Sequence, residues 1–306
     1  MAISGKNLLS IADLGAADIW HLIEKAIELK QKDRKAYLKG KVLALLFEKP
    51  SLRTRVSFEV AMRHLGGHTI YLSPTEVGLG KREQVPDIAR TLSRYVDGIV
   101  ARTFSHQTLE LLARYAGVPV INGLSNQEHP CQALGDLLTI YEKKGKLKGL
   151  RLAFIGDGNN VAQSLVLANS LVGINFIIAS PPDYKLQEAI LRQAQEFALK
   201  SEAHIILTSE PHLAVKNADI VYTDVWVSMG QEAEAEARRL AFASYQVDAQ
   251  LLSLAKKDAL FMHPLPAHHG EEIAEGLLEH PQSVVFDQAE NRLHIQKAIL
   301  VELMGV

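Results

Sequence analysis

Residues 41–55 read KVLALLFEKPSLRTR, and they pass from an apolar run directly into a cluster of hydroxyl and guanidinium side chains. The apolar run predicts a buried strand that Pro50 ends, and apolar residues at helical spacing follow, so Ser51 to Arg55 are expected in the first turn of a helix. Backbone N–H groups and the dipole at a helix start favour an oxyanion, which arginine binds with a bidentate fork. The segment therefore predicts a phosphate site. Taken alone, an N-capping serine beside two solvated arginines is the simpler explanation.

Short apolar strands alternate with helical patterns along the rest of the chain, which is typical of parallel α/β domains. The strands are expected near residues 42–47, 69–72, 98–101 and 118–122, and then near 152–155, 175–179, 204–208, 220–223, 259–262 and 284–286. A charged stretch with a glycine, residues 142–148, separates the two series. The prediction is two parallel-sheet α/β domains of similar size, with the active site in the cleft between them. They cover residues 1–142 and 143–288, and a C-terminal helix over residues 289–306 packs back on the first domain.

Composition excludes several classes of function. The 306 residues carry 33 Lys and Arg against 35 Asp and Glu, so a formal charge of -2 gives no overall field that attracts nucleic acid or an anionic membrane. One cysteine, Cys131, cannot form an intramolecular disulfide. No apolar run approaches the roughly 18 residues that a membrane span requires. Without a cationic and apolar leader, the chain is expected in a reducing cytoplasm.

Polar residues follow the predicted strands at five places. Ser51, Arg102, Asn160, Asp224 and His263 each come just after an apolar strand. Ligands of open parallel sheets bind beyond the carboxyl ends of the strands. Five such groups predict one active site that both domains share.

The stretch Gly156-Asp-Gly158-Asn-Asn160-Val161 follows a strand and opens a helix, as a dinucleotide-binding turn does. Val161 replaces the third glycine of that fingerprint, and the shape of a turn alone is a weak signal. The pattern therefore argues against a nicotinamide cofactor.

Four motifs in this order resemble those of the aspartate/ornithine carbamoyltransferase family. They are residues 51–55, His129-Pro-Cys-Gln132, Asp224-Val-Trp-Val-Ser228-Met229-Gly230 and His263-Pro-Leu-Pro266. The resemblance covers essentially the whole chain, and the third motif is most similar to the ornithine branch. It implies transfer of a carbamoyl group from carbamoyl phosphate to the δ-amine of L-ornithine, without a metal or organic cofactor. It also implies a homotrimer or a higher oligomer of trimers.

The same resemblance implies roles for individual residues. It assigns catalysis to Arg102, His129 and Thr54, which would contact the carbamoyl oxygen. The residues implied in carbamoyl phosphate binding are Ser51, Leu52, Arg53, Thr54, Arg102, His129, Gln132, Leu265 and Arg292, with Arg82 or Lys81 reaching in from a neighbouring subunit. The residues implied in ornithine binding are Asn160, Asp224, Ser228, Met229 and Pro264. No residue needs to act as a nucleophile, so Cys131 is predicted to be non-catalytic.

Two positions depart from the family pattern. Leu52 has no hydroxyl where the family usually has one, so only its backbone N–H can face phosphate. Pro264 stands where ornithine enzymes usually have cysteine, and the resulting His-Pro-Leu-Pro is usual in aspartate enzymes. Pro266 resembles a family cis-proline that turns the Leu265 carbonyl into the site.

The signals for the acceptor therefore conflict. Asp224 and Glu232 complement a cationic amino acid, whereas the second carboxylate of aspartate requires arginines near this loop. We give the charge of the loop more weight, because proline at position 264 removes a thiol without adding charge. Putrescine, N-acetylornithine and aspartate stay open as acceptors, and so does a catalytically silent sensor of a phosphate metabolite.

Replacement of Pro264 by cysteine tests the importance of this departure. In most family members the cysteine at this position contacts the acceptor amine, so Pro264→Cys is expected to shift the pH optimum or the preference among diamines. The measurement is kcat/KM against pH with ornithine and with putrescine. An unchanged profile and an unchanged preference would show that position 264 has no such influence.

Overall fold

The computed structural model describes residues 7–31, 35–80, 82–228 and 230–305. The chain forms two compact units, which we describe separately. The first unit comprises Met1–Leu138 and Glu290–Val306, and the second comprises Thr139–Ala289. Each is built on a wholly parallel sheet with helices, so the predicted pair of parallel-sheet α/β domains is confirmed. The domain boundaries and the cleft expected from the sequence stay predictions.

The sheet of the first unit has four strands in the order β2-β1-β3-β4. The strands are β1 (Val42–Phe47), β2 (His68–Leu72), β3 (Gly98–Arg102) and β4 (Val120–Leu124). The helices are α1 (Ala16–Gln31), α2 (Leu52–His64), α3 (Pro74–Val77), α4 (Val85–Leu92), α5 (His106–Tyr115), α6 (Pro130–Lys144), which continues into the second unit, and the end of α12 (Val285–Met304). β1 pairs with neighbours on both sides and is buried from Leu43 to Phe47, which is why it reads as a continuous apolar run.

The core of the first unit fixes the strand ends that carry polar groups. Its buried members include Ala44, Leu46, Ile99, Leu109 and Val120. Full burial of one such large aliphatic side chain stabilises the fold by about 1.5–3 kcal/mol. The carboxyl ends of β1 and β3 are thereby held side by side, with Phe47 opposite Arg102 in the register.

The sheet of the second unit has five strands in the order β7-β6-β5-β8-β9. The strands are β5 (Arg151–Ile155), β6 (Asn175–Ala179), β7 (Ile205–Thr208), β8 (Ile220–Thr223) and β9 (Leu260–Met262). The helices are α7 (Asn160–Val172), α8 (Glu188–Ser201), α9 (Pro211–Val215), α10 (Ala235–Phe242), α11 (Ala249–Leu252) and the beginning of α12. The strand order reverses direction between β5 and β8, and such a switch point is where open parallel sheets bind ligands.

The prediction of a strand at residues 284–286 is wrong, because α12 begins at Val285. The chain pairs with β9 through a single bridge between Phe261 and Ser283 before the helix starts. Val285 is then buried, while Phe286 is exposed. A short apolar run of this kind does not distinguish a strand from the first turn of a helix. No helix in the described part of the chain combines the length and apolar character needed to cross a bilayer.

The turn between β5 and α7 depends on a close backbone approach at Gly158. A Cβ atom at this position would lie 2.3 Å from the Lys185 carbonyl carbon and 2.4 Å from the Leu186 nitrogen. The Gly158 N–H also donates to the Tyr184 carbonyl at 2.8 Å. The turn therefore has no room for any side chain here.

Gly158→Ala is consequently expected to lower the free energy of unfolding by about 1–3 kcal/mol, the usual cost of overpacking. Urea denaturation provides the measurement. Gly117→Ala is the matched control, because a Cβ there would meet nothing closer than 3.7 Å, and its effect should stay within about 0.5 kcal/mol. Equal effects from the two substitutions would contradict the steric account.

Candidate active site

The start of α2 forms the first part of the candidate site. Ser51 is its N-cap residue, and its Oγ accepts a hydrogen bond from the Thr54 N–H at 3.3 Å. Thr54 is buried, whereas the side chain of Leu52 is 73% exposed and leaves its backbone at the helix start. Arg55 points elsewhere, since it forms an ion pair with Glu59 at 2.9 Å and lies over the ring of Tyr71. Of the two arginines in the motif, Arg53 therefore remains the candidate for binding an anion.

A chain of buried hydrogen bonds joins α2, α6 and α12. Arg292 donates through Nη1 to Gln132 Oε1 at 2.5 Å and through Nη2 to Thr54 Oγ1 at 3.2 Å. Gln132 in turn donates from Nε2 to Asp136 Oδ1 at 2.8 Å. All four side chains are at most 3% exposed. The structure thus brings together three residues predicted from the sequence, and adds Asp136.

Arg102 ends β3 in a buried position. Burial, together with repulsion from Arg292 and Arg53, lowers the pKa of Arg102 to about 10. Its guanidinium therefore stays charged at neutral pH, but in an environment that already carries excess positive charge. A bound anion would relieve that repulsion.

His129 directly precedes α6 and is almost completely buried. Burial and the positive charges of Arg292, Arg102 and Arg53 hold the pKa of His129 well below its usual value. The imidazole is therefore neutral at physiological pH, and it can donate one N–H to a ligand oxygen without adding charge.

Cys131 lies within the same motif but has a different environment. It is fully buried, its Sγ donates to the Asn122 carbonyl at 3.5 Å, and burial raises the pKa of the thiol to about 12. A thiol that does not ionise near neutral pH is a poor nucleophile. This environment supports the prediction that Cys131 is non-catalytic.

The second unit presents Asp224 at the carboxyl end of β8. Its Oδ2 accepts from Asn159 Nδ2 at 2.8 Å, and its Oδ1 accepts from the Val225 N–H at 2.8 Å. Burial raises the pKa of Asp224, although His263 and the bond from Asn159 oppose that shift. A nearby cation would stabilise the charged form of this carboxylate.

Sequence reasoning chose Asn160 and missed its neighbour Asn159. Asn159 is the N-cap of α7, and its Oδ1 accepts from the Val161 and Ala162 N–H groups at 3.0 and 3.1 Å. With its Nδ2 on Asp224, the same side chain ties the start of α7 to the end of β8. The preference of asparagine for N-caps is the signal that could have identified it. Asn160 itself is the first residue of α7.

The loop after Asp224 is held by its own polar groups and by α10. Ser228 donates its N–H to Gln231 Oε1 at 3.1 Å. Arg238 Nη1 donates both to Asp157 Oδ2 at 2.7 Å and to the Trp226 carbonyl at 3.0 Å. Met229 lies outside the described residues. The loop is therefore anchored on both sides of Val227.

Two arginines near this loop are already engaged by carboxylates. Arg238 pairs with Asp157 and Glu234, and Arg239 pairs with Glu271 at 2.9 Å. Both would have to leave these partners in order to bind a second carboxylate of an acceptor. This arrangement suits a cationic acceptor better than a dianionic one.

The His263-Pro-Leu-Pro segment follows β9. His263 is fully buried, its Nδ1 accepts from the Leu265 N–H at 2.9 Å, and its Nε2 lies 3.2 Å from Glu272 Oε1. The accepting role of Nδ1 places the ring proton on Nε2, facing Glu272. The Leu265–Pro266 bond is cis, as the resemblance implies. Glu272, which sequence reasoning missed, thus orients the histidine of this motif.

The glycine-rich loop contributes Arg82, whose Nη1 donates to the Glu76 carbonyl of α3 at 3.2 Å. Lys81 lies outside the described residues. The contact of Arg82 with a neighbouring subunit stays a prediction.

One group of described residues has the composition of a metal site. Potential ligand atoms of His268, Glu271 and Glu272 lie within 4.8 Å of one another. Glu271 is paired with Arg239, and Glu272 accepts from the His268 backbone N–H and faces His263. Ion pairs and hydrogen bonds within the unit therefore account for the cluster.

Comparison with known proteins places these residues in one family. Residues 6–142 match the family model for the carbamoyl-P binding domain of aspartate/ornithine carbamoyltransferases, and residues 148–303 match that for the Asp/Orn binding domain. An ornithine carbamoyltransferase from Anoxybacillus flavithermus is 53% identical, with 99% of this chain and 98% of the relative covered.

Two solved structures resemble this chain over nearly its full length, at different levels of sequence identity. The ornithine carbamoyltransferase from Pyrococcus furiosus superposes with a TM-score of 0.97 at 50% identity, covering 99% of this chain and 98% of that one. An acetylornithine transcarbamylase complexed with acetylcitrulline has a TM-score of 0.90 at 30% identity, covering 98% and 99%.

The low pKa of His129 predicts a specific loss of stability in acid. The pKa of His129 in the folded protein lies below its unfolded value of about 6.5, so the unfolded chain binds more protons between the two values. Its contribution to stability is therefore complete above about pH 6.5 and is lost as the pH falls toward the folded pKa. Between pH 7 and pH 5 the free energy of unfolding should therefore fall further for the wild-type protein than for a His129→Asn variant.

Urea denaturation of both proteins at the two pH values measures this difference. His106 and His294 also have lowered pKa values, but they are present in both proteins and cancel in the comparison. Equal losses would mean that folding does not lower the pKa of His129 and would contradict this prediction.

Proposed function

The chain belongs to the aspartate/ornithine carbamoyltransferase family, and on that premise we propose that it is an ornithine carbamoyltransferase. Such an enzyme transfers the carbamoyl group of carbamoyl phosphate to the δ-amine of L-ornithine and gives L-citrulline and phosphate. The observation that carries the proposal is the buried cluster in the first unit, where Arg292 joins Gln132 to Thr54 and adds its charge to those of Arg102 and Arg53.

The first unit supplies what carbamoyl phosphate requires. Its phosphate is an anion, and the start of α2 offers backbone N–H groups at Ser51 and Leu52 beside the charge of Arg53. Arg102 and Arg292 add two further guanidinium groups, and anion binding relieves the repulsion that lowers the pKa of Arg102. We assign the carbamoyl oxygen to Arg102, His129 and Thr54, and the carbamoyl amide to Gln132.

The second unit supplies what a cationic amino acid requires. Asp224 is a buried carboxylate whose charged form is stabilised by a neighbouring ammonium group. Arg238 and Arg239 are engaged by Asp157 and Glu271, which disfavours aspartate as the acceptor. The remaining acceptor residues keep the roles that the resemblance implies, namely Asn160, Ser228, Met229 and Pro264, while Leu265 and the neighbouring subunit's loop serve the donor.

The main chemical obstacle is the protonated amine. An ordinary lysine-like amine has a pKa of about 10.4, so deprotonation at pH 7 costs about 4.6 kcal/mol. Desolvation and nearby arginine charge lower this cost by disfavouring the ammonium form. The neutral amine then attacks the carbonyl carbon, the C–O bond to phosphate breaks as the intermediate collapses, and the leaving phosphate takes the extra proton from the attacking nitrogen.

The residues of the first unit stabilise the charge that develops in this step. Negative charge grows first on the carbamoyl oxygen, where Arg102, Thr54 and the neutral His129 offer hydrogen bonds in a buried site. It then passes to the leaving phosphate beside the arginines. Alignment of the two substrates can supply about 7–11 kcal/mol, so no covalent intermediate is needed.

The proposal also includes the assembly and the compartment. From the family resemblance we expect a homotrimer or a higher oligomer of trimers in the cytoplasm, in which Arg82 acts on a neighbouring subunit. Analytical ultracentrifugation tests the assembly, and a monomeric enzyme with full activity would remove Arg82 from the site.

The decisive experiment supplies purified protein with carbamoyl phosphate and, separately, ornithine, putrescine, N-acetylornithine or aspartate. Citrulline should be the dominant ureido product. A preference for another acceptor would make position 264 the better guide to specificity. No product from any acceptor would favour the silent sensor of a phosphate metabolite.

Asp224→Asn provides the matched variant for the acceptor site. Loss of a charge-assisted contact should raise the KM for ornithine by about 100-fold, because hydrogen bonds to charged groups are worth about 1.5–3 kcal/mol each. The dissociation constant of carbamoyl phosphate should stay within about threefold of the wild-type value. If the variant binds both substrates more weakly to a similar extent, the substitution has damaged the fold in general.

A further inference from the structure

Asp136 is a buried carboxylate beside the candidate site to which sequence reasoning assigned no role. It lies four residues after Gln132 on α6, so the two side chains share one face of the helix. Gln132 Nε2 donates to Asp136 Oδ1 at 2.8 Å, and the exposed fractions of the two residues are 1% and 0%. Asp136 therefore contacts the site through Gln132.

The neighbours of Gln132 determine which way its amide points. A guanidinium group can only donate, so the end that contacts Arg292 Nη1 must be the carbonyl oxygen Oε1. The other end faces a carboxylate oxygen of Asp136 and must be the amino group Nε2. Both contacts select the same orientation of the amide. A flipped amide would place its amino group against the guanidinium of Arg292 and its oxygen against the carboxylate of Asp136.

We propose that Asp136 is a positioning residue that sets specificity for the carbamoyl group, by holding Nε2 of Gln132 so that Oε1 stays an acceptor for the carbamoyl N–H. The inference rests on the proposed function. It extends that function to a discrimination between acyl phosphates. A donor with a methyl group in place of the amine cannot supply the N–H that Oε1 accepts.

Asp136 is better suited to this task than Arg292. Arg292 also donates to Thr54 and is itself proposed to contact carbamoyl phosphate, so substrate binding competes for its donors. Asp136 holds the opposite end of the amide. The Oε1 atom has two lone pairs and can accept from Arg292 and from the carbamoyl amine together.

The physical reason for discrimination is the cost of an unmet hydrogen bond. A buried site built to bind an N–H rejects an analogue without it, because the site's own polar atoms then lose a partner. If the amide of Gln132 were able to flip, its amino group would face the ligand in part of the molecules. The preference for an amine over a methyl group would then fall.

The test uses two ligands that differ only at this position. Phosphonoacetamide carries the amine of carbamoyl phosphate, and acetonylphosphonate carries a methyl group in its place. Isothermal titration of the full-length protein gives both dissociation constants and their ratio. The wild-type protein should prefer phosphonoacetamide by about 30-fold, within the range for one buried hydrogen bond and its unmet partner.

Asp136→Asn and Asp136→Leu should reduce that preference to about threefold or less, chiefly by lowering the affinity for phosphonoacetamide. Asp97→Asn is the matched control, because Asp97 is another carboxylate of the first unit that holds two donors, Lys41 Nζ at 3.0 Å and the Val42 N–H at 2.8 Å. Its variant should keep the wild-type ratio. Since both ligands are measured on one preparation, a loss of folded protein cancels from the ratio.

Two results would overturn the inference. The first is equal affinity of the wild-type protein for the two ligands. The second is an equal loss of affinity for both ligands in the Asp136 variants, which a merely structural role predicts. If neither variant folds, hydrogen exchange of the Gln132 side-chain amide in the wild-type protein decides. Slow exchange with and without phosphonoacetamide supports the role of Asp136, and fast exchange contradicts it.

Failure of this inference is distinguishable from failure of the proposed function. The ligand ratio depends only on donor binding in the first unit, whereas formation of citrulline depends on the acceptor as well. If the protein forms citrulline but does not prefer phosphonoacetamide over acetonylphosphonate, only the role proposed for Asp136 is rejected. If the protein prefers phosphonoacetamide but forms no citrulline, the assignment of ornithine as the acceptor is rejected.

Discussion

The first unit depends on keeping several guanidinium groups close together in a buried place. Burial and the charges of Arg292 and Arg53 lower the pKa of Arg102 to about 10. Burial, and then the same positive charges, also keep His129 neutral. Such repulsion destabilises the unliganded protein, and the packed sheet around β1 offsets it. A phosphorylated ligand relieves this repulsion. The site therefore binds an anion in preference to a neutral ligand.

The buried carboxylates of the second unit include those of Asp157, Asp224 and Glu272. Asp157 is neutralised by Arg238, and Glu272 faces the imidazole of His263. Asp224 is held by Asn159 and a backbone N–H, with burial raising its pKa. Each unit thus carries a local charge that complements a different substrate. The overall charge of -2 does not reveal such local charges, so composition alone indicated neither ligand.

The sequence predicted features that short segments determine. The bounds of β1, β6 and β8 match the expected strands, because each is a buried apolar run. Ser51 caps α2 because Pro50, directly before it, ends the extended segment locally, and serine is a preferred N-cap residue. Residues 284–286 were misassigned because three apolar residues suit either element. Asp136 and Glu272 were missed because their importance comes from partners that only the folded chain brings to them. Arg55 faces Glu59 and Tyr71 for the same reason.

Binding of the phosphorylated donor should depend on the arginine cluster of the first unit, which comprises Arg53, Arg102 and Arg292. The most direct test is the affinity of phosphonoacetamide for the wild-type protein and for Arg102→Gln, measured by calorimetry at two ionic strengths. The variant should bind about 100-fold more weakly, because a charge-assisted contact to a dianion is lost. Its affinity should also depend less on salt. An Arg102→Gln variant with affinity within about threefold of the wild-type value would contradict this dependence on the cluster.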